Sequence, residues 1–208
     1  MNIDEIIKGR RTVKKFFSRS VTFEKILKIL DAADHAPSTG NSQNWRFIII
    51  TDKKTKKSLV SICDNQKLIE ESPVVIAVFS DNLKLKTLFG DKADFYGIQN
   101  CAAAIQNMLL KAHDLGLGST WIGKFNEEKL KEILNVEFQD PQALVCIGYP
   151  ERTNKLEREP LNYKIFYEKW GNKIRDTNLW PVSKYIPKVS NQVKEFIDRR
   201  IKRESNSK

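Results

Sequence analysis

The stretch KADFYGIQNCAAAIQNMLLKAHDLGLGSTWIG, residues 92–123, contains the longest helical pattern in the chain. Apolar side chains recur at three- and four-residue steps, which predicts one helix over residues 92–115. Between Cys101 and Leu110 the opposite side is also mostly apolar or small. A helix that is apolar nearly all round is buried, so we expect this one at the centre of the fold or at a subunit interface. The repeating positions are Phe95, Ile98, Ala102, Ile105, Leu109 and Ala112.

Shorter apolar runs lie on both sides of this helix in the sequence. Residues 45–51 (WRFIIIT), 73–80 (PVVIAVFS) and 143–149 (ALVCIGY) are continuous rather than alternating. Such runs, separated by helical segments, predict a sheet covered on both faces, in an α+β or α/β fold. Further helices are predicted at residues 2–9, 22–36, 53–62 and 127–134. In the second of these, the expected apolar face consists of Phe23, Ile26, Leu27, Leu30 and Ala33.

Length and charge limit the classes of function. A chain of 208 residues with 40% apolar residues fits one domain with a sizeable core. It has no apolar run near the ~20 residues that a membrane helix needs. Thirty-six Lys and Arg against 26 Asp and Glu give a net charge of +10, concentrated at the two ends of the chain. Such an excess favours an anionic partner: a phosphorylated cofactor, nucleic acid or a membrane surface.

The three cysteines, Cys63, Cys101 and Cys146, are far apart and odd in number. This argues against a disulfide framework and against a zinc site. We interpret each as a small buried hydrophobe and expect a reducing compartment, the cytoplasm. The first residues, MNIDEIIKGRR, lack the apolar core of a secretory signal, which agrees with that expectation.

Two local patterns suggest sites that we do not favour. The GLG of residues 116–118 begins like a dinucleotide-binding fingerprint, but Trp121 stands where the third glycine belongs, and a helix rather than a strand precedes it. His35 with Asp31 and Asp34 could ligate a metal. These three residues lie at the end of a predicted helix whose other face is core, and such a grouping is common by chance.

The segment RRTVKKFFSRS, residues 10–20, is basic and predicted to be extended. On extended backbone the side chains of Arg10, Thr12 and Lys14 point the same way. Two cations flanking a hydroxyl suit a phosphate group. The pattern alone leaves open the alternative of a solvated basic segment.

The loop PSTGNSQNW, residues 37–45, is dense in amide and hydroxyl groups between a predicted helix and a buried strand. Such groups can bind the edge of a planar heteroaromatic ring. Local bonds at a helix end would explain Ser38 and Gly40. They do not require Asn41, Gln43 and Trp45 together.

Taken in order, these motifs resemble the flavin-dependent nitroreductase family. The family patterns RRS-x-[RK]-x-F and A-P-S-x-x-N-x-Q-P-W-x-F are matched by RRTVKKF at residues 10–16 and APSTGNSQNWRF at residues 36–47. The later patterns A-P-V-x-I-x-V, G-L-G-x-x-W-I-G, I-G-Y-P and R-x-P-L are matched by SPVVIAV, GLGSTWIG, IGYP and REPL. Thr12 replaces the usual serine and keeps its hydroxyl. Asn44 replaces the usual proline, which we interpret as changing the stiffness of the loop but not its chemistry.

The resemblance covers residues 3–171 and implies an α+β, nitroreductase-like fold. In that fold a central β-sheet is flanked by helices, with a long buried central helix, in an intertwined homodimer with two FMN molecules at the interface. The chain would divide into residues 1–171, the FMN-binding domain, and residues 172–208, a C-terminal extension with no counterpart in the family pattern. The extension would be either an interface arm or a lid over the substrate pocket.

The resemblance also assigns residues to the cofactor site. Arg10, Thr12 and Lys14, with Arg11 in the same cluster, would contact the phosphate, the ribityl chain and the pyrimidine edge of the ring, and Arg158 would be a second phosphate cation. The other subunit would reach the flavin through its loop residues Pro37, Ser38, Thr39, Asn41 and Gln43. Backbone groups of Ile122 and Gly123 would lie against the central ring. Whether Asn65, Gln66 and Lys67 line the site is left open.

The implied chemistry belongs to the cofactor and needs no acid–base pair from the protein. NADH or NADPH would reduce FMN and leave, and an electrophilic acceptor such as a nitroaromatic or a quinone would then be reduced in ping-pong turnover. Two alternatives stay open: reductive dehalogenation or flavin fragmentation on the same scaffold, and a basic nucleic-acid-binding protein using a helix predicted at residues 190–203. We favour the oxidoreductase, with a small-molecule acceptor and no nucleic-acid or membrane partner.

Overall fold

A computed structural model describes residues 2–153 and 158–174 of the chain. The chain divides into two units, Met1–Leu156 and Glu157–Lys208. The domain boundary predicted between residues 171 and 172 stays a prediction. Most of the predicted C-terminal extension, including the basic helix expected at residues 190–203, lies outside the described residues.

The first unit contains the helices and strands predicted for it, with ends shifted by at most a few residues, and two short helices that the sequence did not predict, at residues 68–71 and 83–89. In chain order they are α1 (Ile3–Gly9), α2 (Phe23–Asp34), β1 (Trp45–Ile50), α3 (Lys53–Ile62), α4 (Leu68–Glu71), β2 (Val74–Ser80), α5 (Leu83–Phe89), α6 (Ala93–Asp114), β3 (Gly118–Ile122), α7 (Glu127–Leu134) and β4 (Asp140–Gly148). Local chemistry sets several of the helix starts. Asn2 forms a capping box with Glu5, and the side chains of Asp52 and Asn126 accept backbone N–H bonds at the starts of α3 and α7.

The four strands in the described residues form one sheet in the order β1-β2-β4-β3, and each neighbouring pair is antiparallel. Trp45 pairs with Ser80, and Ser80 pairs with Asp140, so the start of β1, the end of β2 and the start of β4 lie at one end of the sheet. Gly118, the first residue of β3, pairs with Gly148 at the opposite end. Thus β1 and β3 are the two edge strands. The last residue of β3 and the first residue of β1 lie at the same end of the sheet, on opposite edges.

Helices cover both faces of the sheet, as the continuous apolar strands predict. Alternate residues of β2 enter two separate cores: Val74, Ile76 and Val78 pack with side chains of α2 and α6, whereas Val75, Ala77 and Phe79 pack with those of α3 and α7. Every residue of β2 is buried. The fold is therefore α+β with a central sheet flanked by helices, and α6 is its long central helix, as expected.

The buried face of α6 differs from the predicted stripe at its N-terminal end. Phe95 and Ile98 are 58% and 55% exposed in the single chain, and the buried residues there are Gly97, Asn100 and Cys101. The sequence left open whether α6 is buried at the centre of the fold or at a subunit interface, and its periodicity does not say which of its two apolar sides packs on the sheet. The later positions Ile105, Leu109 and Ala112 are buried as predicted.

The buried residues of α2 also differ from the predicted face, and α3 buries a charged side chain. In α2, Phe23 and Leu27 of the predicted face are 65% and 48% exposed, whereas Ile29, which was not in that face, is fully buried. Although α3 lies on the surface, Lys56 is only 5% exposed and its Nζ donates a hydrogen bond to the Ser72 carbonyl at 2.6 Å. In α2, packing on α6 rather than local pattern selects the buried side chains, and in α3 the hydrogen bond to Ser72 accompanies the burial of Lys56.

The three cysteines behave as buried hydrophobes, as interpreted from the sequence. Burial raises the pKa of the Cys63 thiol to about 11 and the pKa values of Cys101 and Cys146 to about 12. All three are therefore neutral thiols near pH 7. In the part of the chain that the structure describes, no helix combines the length and apolar character needed to cross a membrane.

Candidate cofactor site

The basic segment, which we define as Arg10–Phe16, meets the open edge of β3 at Thr12 and Val13 and reaches Pro150, just after β4, at Phe16. Thr12 forms a parallel bridge with Ser119, and the Val13 N–H donates to the Ser119 carbonyl at 3.1 Å. The Thr120 hydroxyl donates in turn to the Val13 carbonyl. The segment is therefore extended, as predicted, and it runs in the same direction as β3.

Side chains alternate along the basic segment. Val13 is 1% exposed and enters the core, whereas Thr12 and Lys14 are exposed. Extended backbone directs these two outward side chains to the same side. A hydroxyl and an ammonium group are thus presented together beside β3, as the sequence predicts.

The two arginines at the start of the segment lie at the C-terminal end of α1. Arg10 is partly buried and is the residue that caps the helix. Arg11 is turned back onto the helix, where its Nη1 donates to the carbonyls of Lys8 and Arg10 at 2.6 and 2.8 Å. Arg11 therefore has a structural role in addition to its predicted place in the cofactor site, which stays a prediction.

Positive charge is concentrated around these arginines. The pKa of nearby His113 is lowered from its ordinary value, first by burial and then by the charges of Arg10 and Arg11. His113 lies against Gly9, where an added Cβ would come within 2.7 Å of its Nε2. A phosphate at this place would meet a cationic surface and a largely neutral imidazole near pH 7.

At the end of β3 an exposed aromatic side chain, a buried residue and a glycine follow one another. Trp121 is 41% exposed, whereas Ile122 is only 3% exposed and packs into the core. Gly123 is exposed, and a Cβ added to it would meet nothing nearer than Trp121 Nε1 at 3.8 Å. This open space beside the backbone fits the prediction that a flat ring lies against Ile122 and Gly123.

The turn that contains Asn65, Gln66 and Lys67 lies next to this end of β3. The Lys124 ammonium pairs with the Asp64 carboxylate at 2.7 Å, and the Asn126 N–H donates to the Ile62 carbonyl at 3.0 Å. The sequence left the role of this turn open, because its motif is loose. Its placement makes it a neighbour of the predicted ring position.

The second group of predicted residues is in the loop before β1, which we call the 37–43 loop. The Ser38 hydroxyl accepts the Gln43 N–H at 3.1 Å, and the Gln43 amide donates to Asn41 Oδ1 at 3.0 Å. Gly40, Asn41 and Gln43 all have positive φ, at 58°, 47° and 45°. Only glycine adopts this region without strain, so surrounding contacts must hold the loop.

One protomer does not bring its two groups of predicted residues together. The 37–43 loop precedes β1, whereas the basic segment meets β3, the strand that contains Ile122, on the opposite edge of the sheet. Three strand spacings of about 4.8 Å separate these edges, roughly 14 Å. That the loop serves the flavin of another subunit stays a prediction, with which this separation agrees.

The second unit holds the remaining predicted residue, Arg158, which is exposed. Within this unit Lys173 Nζ donates to three carbonyls, those of Asn162, Tyr163 and Ile165, at 2.8 to 2.9 Å, and lies 3.8 Å from the centre of the Phe166 ring. Lys173 thereby stabilises the fold of residues 161–173. The phosphate contact assigned to Arg158 stays a prediction.

Sequence reasoning missed three buried asparagines behind the 37–43 loop: Asn44, Asn82 and Asn100. The Asn44 amide accepts from Asn100 and donates to Asn82, at 2.8 and 3.0 Å. Asn44 therefore does more than change loop stiffness, which corrects our interpretation of its replacement for proline. A signal was present: Asn100 is a polar residue on the side of α6 that is otherwise small and apolar.

The donors present fit FMN in kind and order. In sequence order the basic segment offers two arginines, a hydroxyl and an ammonium group, and Gly123 offers open backbone after β3. A terminal phosphate, a polyol and the edge of a heteroaromatic ring suit these partners.

The residues that could have ligated a metal, His35 with Asp31 and Asp34, make other bonds. His35 Nδ1 bonds the Asp31 carbonyl at 2.8 Å, and Asp34 accepts the Trp45 indole N–H at 2.9 Å.

Comparison with known proteins agrees with these features. The family model described as the nitroreductase family matches residues 7–66 and 62–149. A protein from Methanothermobacter thermautotrophicus, provisionally named NADH dehydrogenase/NAD(P)H nitroreductase, is 32% identical over 176 residues, covering 82% of this chain and 88% of that protein. The FMN reductase [NAD(P)H] of Bacillus subtilis is 25% identical over 217 residues, or 95% of this chain and 85% of the relative.

A more distant relative and a solved structure complete the comparison. The iodotyrosine deiodinase of Thermotoga neapolitana is 22% identical over 173 residues, 71% of this chain and 88% of that one. The crystal structure of a nitroreductase family protein from Clostridium novyi NT superimposes with a TM-score of 0.68 at 29% identity, over 83% of this chain and 96% of the other. The resemblance drawn from the motifs is thereby confirmed, and the chain belongs to the nitroreductase family, a family of oxidoreductases that use FMN and NAD(P)H.

Proposed function

We propose that this chain transfers electrons from NADH or NADPH to an electrophilic small molecule, a nitroaromatic, a quinone or a similar acceptor, in ping-pong turnover. The observation that supports this best is the outward-facing pair Thr12 and Lys14 beside β3, with open backbone at Gly123 further along the same edge. When bound, the cofactor would supply the redox chemistry: hydride acceptance from the nicotinamide and electron delivery to the acceptor. We place this activity in the cytoplasm, because all three thiols are unpaired and buried.

The chain's own residues bind and orient the cofactor. Arg10 and Arg158 would hold the phosphate by charge-assisted hydrogen bonds. Thr12 would bond the ribityl chain, and Arg11 adds positive charge nearby. Lys14 would lie at the pyrimidine edge of the ring, where its charge stabilises the negative charge gained on reduction.

The remaining contacts would come from a second copy of the chain. Pro37, Ser38, Thr39, Asn41 and Gln43 lie too far from β3 to complete the site within one protomer, by the strand count given above. Exposed apolar side chains of α1, α2 and α6 offer a surface for pairing; they are Ile3, Ile7, Phe23, Leu27, Phe95 and Ile98. We therefore propose a homodimer with two shared FMN sites.

The first test is direct and uses the purified full chain. A flavin absorption band in the visible spectrum, followed by release of the cofactor and its identification by mass as FMN, is expected. One phosphate suffices for the cations assigned above, so FAD or a colourless protein that does not take up FMN contradicts the proposal. Kinetics with NADH and NADPH against nitroaromatics and quinones then identify donor and acceptor, and parallel double-reciprocal lines are expected for ping-pong turnover.

A second reaction is favoured by one observation. Because the deiodinase of Thermotoga neapolitana is a relative over most of the chain, reductive dehalogenation is the alternative use of the same site. Adding a halogenated phenol to the acceptor panel distinguishes the two: release of halide faster than reduction of every nitroaromatic and quinone would favour dehalogenation. Flavin fragmentation is distinguished by loss of bound flavin during turnover.

A further inference from the structure

Three asparagines are buried where the 37–43 loop meets α6 and the end of β2. Asn44, Asn82 and Asn100 are 2%, 5% and 3% exposed. A buried amide is unfavourable unless its polar atoms are hydrogen-bonded, and these bond one another: Asn100 Nδ2 donates to Asn44 Oδ1, and Asn44 Nδ2 donates to Asn82 Oδ1. Such a connected set of amides has one preferred arrangement and fixes what is attached to it.

Asn100 extends this set from α6 into the loop. Its Oδ1 accepts the Thr39 N–H at 2.9 Å, and its Nδ2 also donates to the Ser42 hydroxyl at 3.1 Å. Thr39 and Ser42 lie on either side of the left-handed residues Gly40 and Asn41. One side chain of the central helix therefore holds both ends of the turn that contains the strained backbone.

The other end of the set is anchored by Asn82. Its Nδ2 donates to Asp94 Oδ1 at 3.0 Å and to Asp140 Oδ2 at 3.3 Å. Gly97 leaves the space that Asn82 occupies, because a Cβ at Gly97 would lie 2.4 Å from Asn82 Oδ1. Gly97 and Asn100, three residues apart, lie on one side of α6, so α6 provides both the space and the hydrogen bonds.

The chain has asparagine at position 44, where the family pattern has proline. A proline there would remove the bonds to Asn82 and Asn100 and would disfavour the left-handed conformation of Gln43. That conformation brings the Gln43 amide onto Asn41 Oδ1, so Asn41 would meet a ligand through its Nδ2 donor. Hydrogen bonds among buried amides, rather than the rigid ring of a proline, therefore fix the conformation of the 37–43 loop.

We propose that Asn44, Asn82 and Asn100 are positioning residues that hold the 37–43 loop in the conformation that binds FMN across the subunit interface. This inference rests on the proposed function, since the loop is assigned there to the flavin. It predicts that loosening the network weakens the grip on FMN more than it weakens the fold.

The test compares two asparagines of the same helix, in the full chain. Asn100→Ala removes its two bonds to the 37–43 loop, those to Thr39 and Ser42, and its bond to Asn44. Asn107→Ala is the matched control: Asn107 lies about 10 Å further along α6, and its Nδ2 donates to the Ala32 carbonyl at 3.0 Å, on the α2 side. Hydrogen exchange of the amides of residues 39–43 reports the loop itself, and FMN titration with the position of the flavin absorption band reports its effect on the site.

We expect Asn100→Ala to speed exchange of the loop amides and to raise the Kd for FMN, each by about tenfold, as the loss of one or more buried hydrogen bonds implies. Asn107→Ala should change both by less than about twofold. If Asn100→Ala does not fold, Asn44→Ala and the milder variant Ser42→Ala, at a half-buried residue of the loop, give the same comparison. Unchanged exchange, or faster exchange with an unchanged Kd, would overturn the inference. If the wild-type protein takes up no FMN, the proposed function fails, and exchange alone still decides whether the network holds the loop.

Discussion

Lys14 lies on the exposed side of the basic segment, and its neighbour Lys15 is equally exposed but follows on the other side of the extended chain. Lys14→Met and Lys15→Met therefore each remove one positive charge, from opposite sides of the extended segment. If Lys14 stabilises the charge gained by FMN on reduction, Lys14→Met should lower the midpoint potential by about 30 to 60 mV, the equivalent of one charge-assisted hydrogen bond for a two-electron couple. Lys15→Met should leave it nearly unchanged. Spectroelectrochemical titration measures both, and equal shifts would contradict the assignment.

Arg10 is the residue assigned to the phosphate at the start of β3. Arg10→Ala should raise the Kd for FMN roughly ten- to a hundredfold, because a charge-assisted contact is worth about 1.5 to 3 kcal/mol. The fold should persist. Lys28→Ala is the control, since Lys28 is exposed on α2 and pairs only with Glu24 among the described residues. FMN binding as tight as that of the wild-type protein would show that the phosphate lies elsewhere.

His113 should report the phosphate through its pKa, which burial and the charges of Arg10 and Arg11 lower. Protonation of His113 therefore favours the unfolded chain, and stability is lost as the pH falls below about 6.5, the ordinary value for histidine. His113→Gln should remove that part of the acid sensitivity. Binding of FMN places negative charge beside the arginines, so the pKa of His113 should rise on binding.

The chain offers an internal control for this titration. His35 is the only other histidine, and its pKa is raised by its bond to the Asp31 carbonyl and by that residue's charge. His35 lies at the end of α2, and Arg10 and Arg11 do not contribute to its pKa, so FMN should move its pKa less than that of His113. NMR titration of the two imidazoles with and without FMN measures both; an unchanged His113 would contradict a phosphate near Arg10.

At the scale of the elements, local signals were sufficient where one residue type decides the structure. Gly9 and Asn126 mark helix ends correctly, and the apolar run of β2 predicts its burial on both faces. Local signals were insufficient where a helix has two apolar sides, as at Phe95 on α6, because they do not say which side packs on the sheet. They also could not show that the basic segment would pair with Ser119, because that contact joins residues more than a hundred positions apart in sequence. Asn100 was missed for the same reason, since its bonding partners lie in the distant 37–43 loop.

Substitutions at two glycines, Gly118 at the start of β3 and Gly123 just after its end, should separate folding from cofactor binding. A Cβ at Gly118 would lie 2.6 Å from Val13 Cγ2, so Gly118→Ala should force the basic segment away from β3 and lower the free energy of unfolding by about 1 to 3 kcal/mol. Gly123→Ala has open space around it and should leave stability within about 0.5 kcal/mol. Its methyl group would enter the predicted ring position, so FMN affinity should fall. Thermal unfolding and FMN titration measure the two effects, and equal stability losses would contradict this placement.

The arrangement of the whole molecule follows from two separate requirements. The predicted cofactor contacts lie on opposite edges of one sheet, and several helices expose large apolar side chains, among them Phe23 of α2 and Phe95 of α6. A second copy would satisfy both, since pairing buries the apolar faces and brings a 37–43 loop to each β3. Patches of this kind are rare on monomers unless they have a binding role.

We therefore expect an obligate two-fold dimer with an interface of about 2,000 Å² or more. Dilution should not release monomer before FMN is lost, because each cofactor would be held by both chains. Light scattering across a dilution series, with flavin content followed in parallel, measures this; an active, flavin-loaded monomer near 24.1 kDa would overturn both the dimer and the shared site.

Truncation after Asn172 tests the C-terminal extension in the same assay. Loss of the dimer would make the extension an interface arm, whereas an intact dimer with an altered range of acceptors would make it a lid over the substrate pocket.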